Sequence, residues 1–166
     1  IIKYRNKKEI NTEDLVKIID YSKNKKKYKI HNATKVFQAL RIFVNKEISE
    51  LIYGLINATK VVKKNGIILV VSFHSLEDKI IKSFFNQYSN RNKNPSRYLP
   101  VSKKKFDLFK IFLKKPLLPT NDEIEQNKRS RSAKIRYAIR NNNPFFLSPD
   151  IENKFINYFK TEEMKI

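Results

Sequence analysis

The sequence has no cysteine and only two histidines, so a disulfide framework, a thiolate metal site and a histidine-built one are all excluded. No metal site is expected. Glycine is almost absent: Gly54 and Gly66 stand alone, neither in the glycine-rich turn that cradles a phosphate or nucleoside. Long apolar runs are missing as well. The longest, 67–71, falls far short of the roughly 20 residues that span a bilayer, and the first 30 residues are too polar and charged for a secretory signal. These absences predict no membrane partner, and a cytoplasmic compartment or an organelle interior.

Acidic residues are scarce. Sixteen Asp and Glu face 36 Lys and Arg, and a net charge of +20 points to a polyanionic partner. Lys, Ile and Asn, at 28, 21 and 18 residues, all have A/T-rich codons, so part of that charge reflects coding bias. Arginine is less inflated by such bias, and four of the eight, Arg129, Arg131, Arg136 and Arg140, fall within twelve residues. At 166 residues the chain suits one domain, or one with an appendage. It opens on IIKYRNKK, which reads as the end of an element, and the expectation is a piece of a longer protein.

Thr12 reads as the cap of a short helix through Leu15, Ile18 and Ile19, closed by the lysine-rich stretch 23–29. From Ala33 to Val62 apolar residues recur at helical spacing, as one long helix or as two in series broken near Asn45. Asn65-Gly66 supplies a turn. Residues 67–71 read as a strand apolar on both faces, the pattern of a parallel strand between helix layers. Ser75 and Asp78 predict a helix start, carried on by Ile80, Ile81, Phe84, Phe85 and Tyr88. A polar loop over 89–104, a strand over 106–114 and a capping box from Thr120 to Glu123 follow. Residues 132–140 alternate, with Lys134, Arg136, Ala138 and Arg140 on one side, as a strand with a basic face. Ser148-Pro149-Asp150 begins a last helix bearing Ile151, Phe155, Ile156 and Phe159.

Three segments are chemically unusual. In HNATKVFQALRIFVNKE, residues 31–47, the polar His31, Lys35, Gln38, Arg41 and Asn45 project from an apolar helix, which a solvated face would also explain. SFHSLEDKIIK, residues 72–82, follows a strand directly; ligand crevices of open α/β sheets lie at such carboxyl ends, although a capped turn holding a satisfied histidine fits too. NKRSRSAKIRYAIR, residues 127–140, has arginines suited to phosphates, or to keeping an edge strand from aggregating.

The ordered set of these segments resembles one family, the small-subunit rRNA cytosine-N4 methyltransferases called RsmH or MraW. FQALRI at 37–42, SFHSLED at 72–78 and RSRSAK at 129–134 stand intact, and KKP at 114–116 matches the stretch before the last. Asn32 and Lys35 replace the proline and arginine of the first motif, and Lys128 a proline before the last. Asn32 is itself a favoured helix cap, whereas Lys35 keeps a charge but loses a forked contact. The resemblance runs over roughly residues 5–140.

The resemblance implies an α/β fold: the C-terminal part of a Rossmann-like methyltransferase sheet, with the fifth strand and a closing strand pair, and the end of an inserted helical RNA-recognition domain. Residues 1–44 would be that inserted end, 45–140 the methyltransferase part, and 141–166 a C-terminal extension with one helix. It implies transfer of a methyl group from S-adenosylmethionine to the N4 of a cytidine in the decoding region of small-subunit rRNA. Ser72, Phe73, His74 and Ser75 become the catalytic candidates, Phe73 as an apolar face for the base and the others as hydrogen-bonding groups, with His74 able to accept a proton. Glu77 and Asp78 would cap and orient the turn. Lys35, Arg41, Arg129, Arg131, Lys134 and Arg136 are the candidates for RNA backbone contacts. The cofactor site is expected upstream of Ile1, leaving this chain a weak binder of S-adenosylmethionine and strand 67–71 with an exposed edge. A separately existing basic RNA-binding module, docking on rRNA or on a partner with the cofactor site, is the competing reading. A hydrolase using His31 and His74 lacks any supporting spacing.

Overall fold

Helical periodicity in 31–62 resolves into two helices because one residue leaves the helical region. In the computed structural model, which describes residues 1–6, 9–22, 31–89, 107–148 and 150–164, Lys46 has φ 52° and separates α3 (Thr34–Asn45) from α4 (Glu47–Val61). The chain forms two compact units, Ile1–Glu47 and Ile48–Ile166. The first holds α1 (Ile2–Arg5), α2 (Thr12–Ser22) and α3, with Ile18, Ile19 and Ala33 buried. Asn11, rather than Thr12, caps α2, its Oδ1 accepting the Asp14 N–H at 2.8 Å. α3 starts after Ala33 with no side-chain cap, so Asn32 does not take the capping position; the Ala33 N–H instead donates to His31 Nδ1 at 3.2 Å. The stretch 23–29 lies outside the described residues, as does all of 89–104 except Ser89.

The second unit is built on a three-stranded antiparallel sheet in the order β1-β3-β2, where β1 is Ile67–Ser72, β2 is Phe109–Lys110 and β3 is Lys134–Arg140. Two sequence expectations change here. β1 pairs antiparallel with β3, Ile67 opposite Ile139 and Ser72 opposite Lys134, and among the described residues it is an edge strand. It is also buried on one face only. Ile68 and Ser72 turn inward, whereas Ile67, Leu69 and Val71 are 59%, 57% and 46% exposed, because among the described residues the helix layer of α5 (Ser75–Gln87) covers one side. The strand expected over 106–114 shortens to two residues, since only Phe109 and Lys110 reach the register of β3.

α5 supplies the core. Its Ile80, Ile81, Phe84 and Phe85 are almost completely buried, each worth roughly 1.5–3 kcal/mol relative to exposure. Tyr88, just past the helix, stacks near Phe84 and Phe146, its hydroxyl accepting the Ser148 N–H at 3.0 Å. Burial pushes the Tyr88 phenol up, and the charges of Glu152 and Asp150 add to that against the Ser148 hydrogen bond. The last helix is two, α7 (Asp150–Lys154) and α8 (Ile156–Glu162), broken at Phe155. Ile151, Phe155 and Phe159 are buried, and Ile156 stays 40% exposed.

The two glycines have different reasons. A Cβ on Gly66 would stand 2.6 Å from Val62 Cγ2 and 2.9 Å from the Lys63 carbonyl oxygen, so the turn into β1 requires glycine. A Cβ on Gly54, inside α4, would meet nothing within 4 Å. Gly54→Ala is therefore expected to stabilise the chain by about 0.5–1 kcal/mol in urea unfolding, by removing backbone freedom from the unfolded state.

Candidate functional site

β1 ends in Ser72 and hands directly to the turn that opens α5. Ser72 is 1% exposed, with its Oγ 3.4 Å from the Lys134 carbonyl oxygen. The cap of α5 falls on His74, one residue before the expected Ser75. His74 Nδ1 accepts the Glu77 N–H at 3.3 Å, while Glu77 Oε2 accepts the N–H groups of Phe73 and His74 at 2.8 and 3.3 Å. This reciprocal box explains why SFHSLE folds as one rigid turn. It also sets the tautomer. With the Nδ1 lone pair turned to a backbone N–H, the neutral ring carries its proton on Nε2 and is a donor. Nε2 is buried, 3.2 Å from Glu77 Oε1 yet without an aligned hydrogen bond.

The turn leaves Phe73 outside, 56% exposed, on the wall of a cleft of about 630 Å³. Val71, Leu117, Leu118 and Ile135 give this cleft apolar walls, and Glu123, Asn127, Arg129 and Ser130 bring polar groups to it. Each wall has a local cause. Leu117 exchanges two backbone hydrogen bonds with Ile135, both at 2.9 Å, which fixes 117–119 beside β3. Thr120 Oγ1 accepts the Glu123 N–H and starts α6 (Asn121–Gln126); Asn127 Oδ1 accepts the Arg129 N–H and starts the 3-10 turn Lys128–Ser132. The size and the mixture of apolar walls with a few polar groups are those of a small-ligand or base pocket.

Of the sequence candidates, Phe73 and Arg129 meet at this cleft; Ser72, His74 and Ser75 stand behind it in the turn and do not line it. Arg131 is exposed on the 3-10 turn. Glu123, Asn127 and the 117–119 walls were missed, because 44 or more residues separate them from Phe73 in sequence. The basic side of β3 faces α5, and β3 is the central strand, so it is not a charged edge strand. Arg140 is 6% exposed, and burial lowers the pKa of its guanidinium. Asp78, expected at the cap, instead crosses to β3: its Oδ1 accepts from Arg136 Nε at 2.6 Å and its Oδ2 lies 3.5 Å from Lys134 Nζ. In the first unit, Lys35 is exposed, and Arg41 forks onto Glu47 at 2.7 and 3.2 Å.

Gly54 lies within a helix and Gly66 in a tight turn against Lys63, and neither forms a backbone cradle for a nucleoside. Among the described residues no helix is long and apolar enough to cross a membrane.

Comparison with known proteins gives these segments a family. Relatives named ribosomal RNA small subunit methyltransferase H include that of Rickettsia typhi, 44% identical over 143 residues, which covers 83% of this chain and 46% of the relative. That of Sulfurihydrogenibium sp. is 41% identical over 143 residues, 84% of this chain and 44% of the relative. That of Methylorubrum populi is 47% identical over 116 residues, 69% and 33% respectively. The chain thus spans less than half the length of these relatives. Residues 1–141, which include the capped SFHSLED turn and the RSRSAK segment beside it, match the MraW methylase family, and the chain belongs to that family.

Proposed function

We propose that this chain is the C-terminal part of an enzyme that methylates the N4 of a cytidine in the decoding region of small-subunit rRNA, with S-adenosylmethionine as donor. In this reading β1 is the fifth strand of a Rossmann-like sheet and β2 and β3 its closing pair, residues 1–44 end an inserted helical domain, and residues 141–166 extend the catalytic part. The cofactor is held by a part of the enzyme outside these 166 residues. This chain supplies the base-holding side and is inactive alone.

The observation that carries the reading is the cleft where Phe73 and Arg129 meet at the carboxyl end of β1, within a family whose relatives are named rRNA methyltransferases. A base in structured RNA has to be extruded before its amine is reached, and then held by stacking and hydrogen bonds. Phe73 offers the stacking face. The amine lone pair is delocalised into the cytosine ring, so holding the base in line with the donor supplies much of the rate. His74 keeps that face in place through the Glu77 box, and its Nε2–H makes it a donor rather than the proton acceptor. Ser72 and Ser75 support the same turn. Arg129 and Arg131 neutralise phosphates, as does Lys35. Arg41 does so by sharing its guanidinium with Glu47, and Lys134 and Arg136 contribute charge from positions fixed by Asp78.

The test is a chimera in which this chain follows the N-terminal part of the Rickettsia typhi relative, expressed in cells that lack their own enzyme. Nucleoside mass spectrometry of small-subunit rRNA is expected to find N4-methylcytidine. Phe73→Ala should lower it about 100-fold, as loss of base positioning does, and His74→Ala should lower it through the turn. A folded chimera that binds S-adenosylmethionine and leaves the rRNA unmethylated would sink the proposal.

A further inference from the structure

A second, smaller cleft lies between α5 and the segment that follows β2, lined by Lys82, Lys114, Lys115 and Arg136 above Phe85 and Ile111, with Asn86 at its side. Among the described residues no carboxylate lines it. The four cations differ in state. Arg136 is spent on structure: it forks onto Asp78, and its Nη1 donates to the Lys114 carbonyl oxygen at 3.3 Å, tying that backbone to β3. The side chains of the three lysines make no ion pair or hydrogen bond among the described residues.

A cleft lined by charge of one sign over low-dielectric walls focuses its field outward. Phe85 beneath the cleft is 3% exposed, and the Arg136 contact fixes the Lys114 backbone beside it, with Lys114 and Lys115 both exposed and lining the cleft. Lysines on an open surface would spread apart; here α5 positions Lys82, and the partly buried Arg136 anchors the backbone that carries Lys114 and Lys115. Ammonium groups need no planar partner and suit successive phosphodiester oxygens. The Asn86 amide adds a hydrogen-bonding group of the kind that meets a ribose 2′-hydroxyl.

We propose that Lys82, Lys114 and Lys115 form a clamp for the RNA backbone, distinct from the base-holding cleft at Phe73. The inference rests on the rRNA reading above and extends its contact surface to three residues outside the arginine-rich segment.

The test titrates the full chain against a fluorescein-labelled RNA hairpin over a series of KCl concentrations, by anisotropy. The variants are K82E/K114E/K115E, its neutral counterpart K82A/K114A/K115A, R129E/R131E, and a charge-matched control K64E/K154E/K160E on exposed lysines outside both clefts. Each neutralised phosphate adds roughly 0.7–0.9 to the slope of log K against log salt, so both clamp variants should lose about 2 from it, with affinity down about ten-fold or more in the glutamate triple. The matched control should keep the slope, and circular dichroism should be unchanged throughout. An equal loss in the control, or an unchanged slope in the clamp variants beside a reduced one in R129E/R131E, overturns the clamp and leaves the rRNA reading standing. Failure of the unsubstituted chain to bind the hairpin overturns both.

Discussion

Replacing Asp78 with alanine is expected to destabilise the second unit by about 3 kcal/mol, measured by urea unfolding, because it strands two cations beside the SFHSLED turn. The Asp78 and Arg136 side chains are 14% and 11% exposed, with Oδ1 to Nε at 2.6 Å and Oδ2 to Nη2 at 3.4 Å. Lys134, 34% exposed, reaches solvent and loses less. Removing one partner of such a pair leaves an uncompensated charge, whereas replacing both with apolar groups of similar volume is often neutral. Asp78→Leu combined with Arg136→Met should therefore recover most of the loss. If the double variant is as unstable as Asp78→Ala, an orphaned Arg136 charge is not the cause.

The same group gives the fold a dependence on acid. Burial alone would raise the Asp78 pKa, but the Arg136 hydrogen bond and the charges of Arg136 and Lys134 outweigh it and hold the carboxyl below its ordinary 3.8. A carboxyl depressed in the folded state contributes stability that is fully present above the unfolded value and lost as pH falls through the folded one. Unfolding free energy should thus decline below pH 3.8 by a component missing from the Asp78→Leu/Arg136→Met variant. The Asp78–Arg136 contact spans 58 residues, and Lys134, the last residue of the RSRSAK segment, meets the same carboxylate, so loss of Asp78 should also loosen the cleft between Phe73 and Arg129.

Local physics was legible in the sequence, and long-range pairing was not. The period of Ile80, Ile81, Phe84 and Phe85 identified α5 and its buried face, because a helix shows its core stripe in its own spacing. Thr120 as the cap of α6 was equally readable. The cap of α5 slipped by one residue, since a serine and an acid three apart matched the usual box while a histidine and Glu77 made the real one. The apolar run 67–71 announced a strand but not its partner, and β1 pairs with a strand some 60 residues later. The alternation in β3 was right, and its basic side meets a carboxylate of α5. Spacing shows which residues share a face, but not that Asp78 waits opposite. For the same reason Phe73 and Arg129 were found separately, and the cleft that joins them with Glu123, Asn127 and Leu117 was not.

Glu162 makes the second large prediction, and nothing in its own segment announces it. It is 6% exposed at the end of α8, and its two carboxylate oxygens accept the Ile48 and Ser49 N–H groups at 3.0 and 3.1 Å, in the first turn of α4. The first N–H groups of a helix have no partner within it, and here a carboxylate from more than 110 residues away satisfies two of them where the positive end of the helix dipole favours an anion. The Tyr53 and Phe159 rings, 5.8 Å apart edge to face, hold α8 against α4 at the same place. Glu162→Ala removes the carboxylate acceptor from both buried N–H groups, and should lower stability by about 2–4 kcal/mol, combining a lost cap with the desolvation of the groups it satisfied. Glu162→Gln keeps one acceptor and turns an amide donor toward the other N–H, so about half that loss is expected. Hydrogen exchange separates this local effect from general destabilisation. The amides of Ile48 and Ser49 should lose protection in Glu162→Ala by more than those of Ile80 and Phe84 in α5, and equal losses at both places would mean that Glu162 acts by bulk packing rather than as the cap of α4.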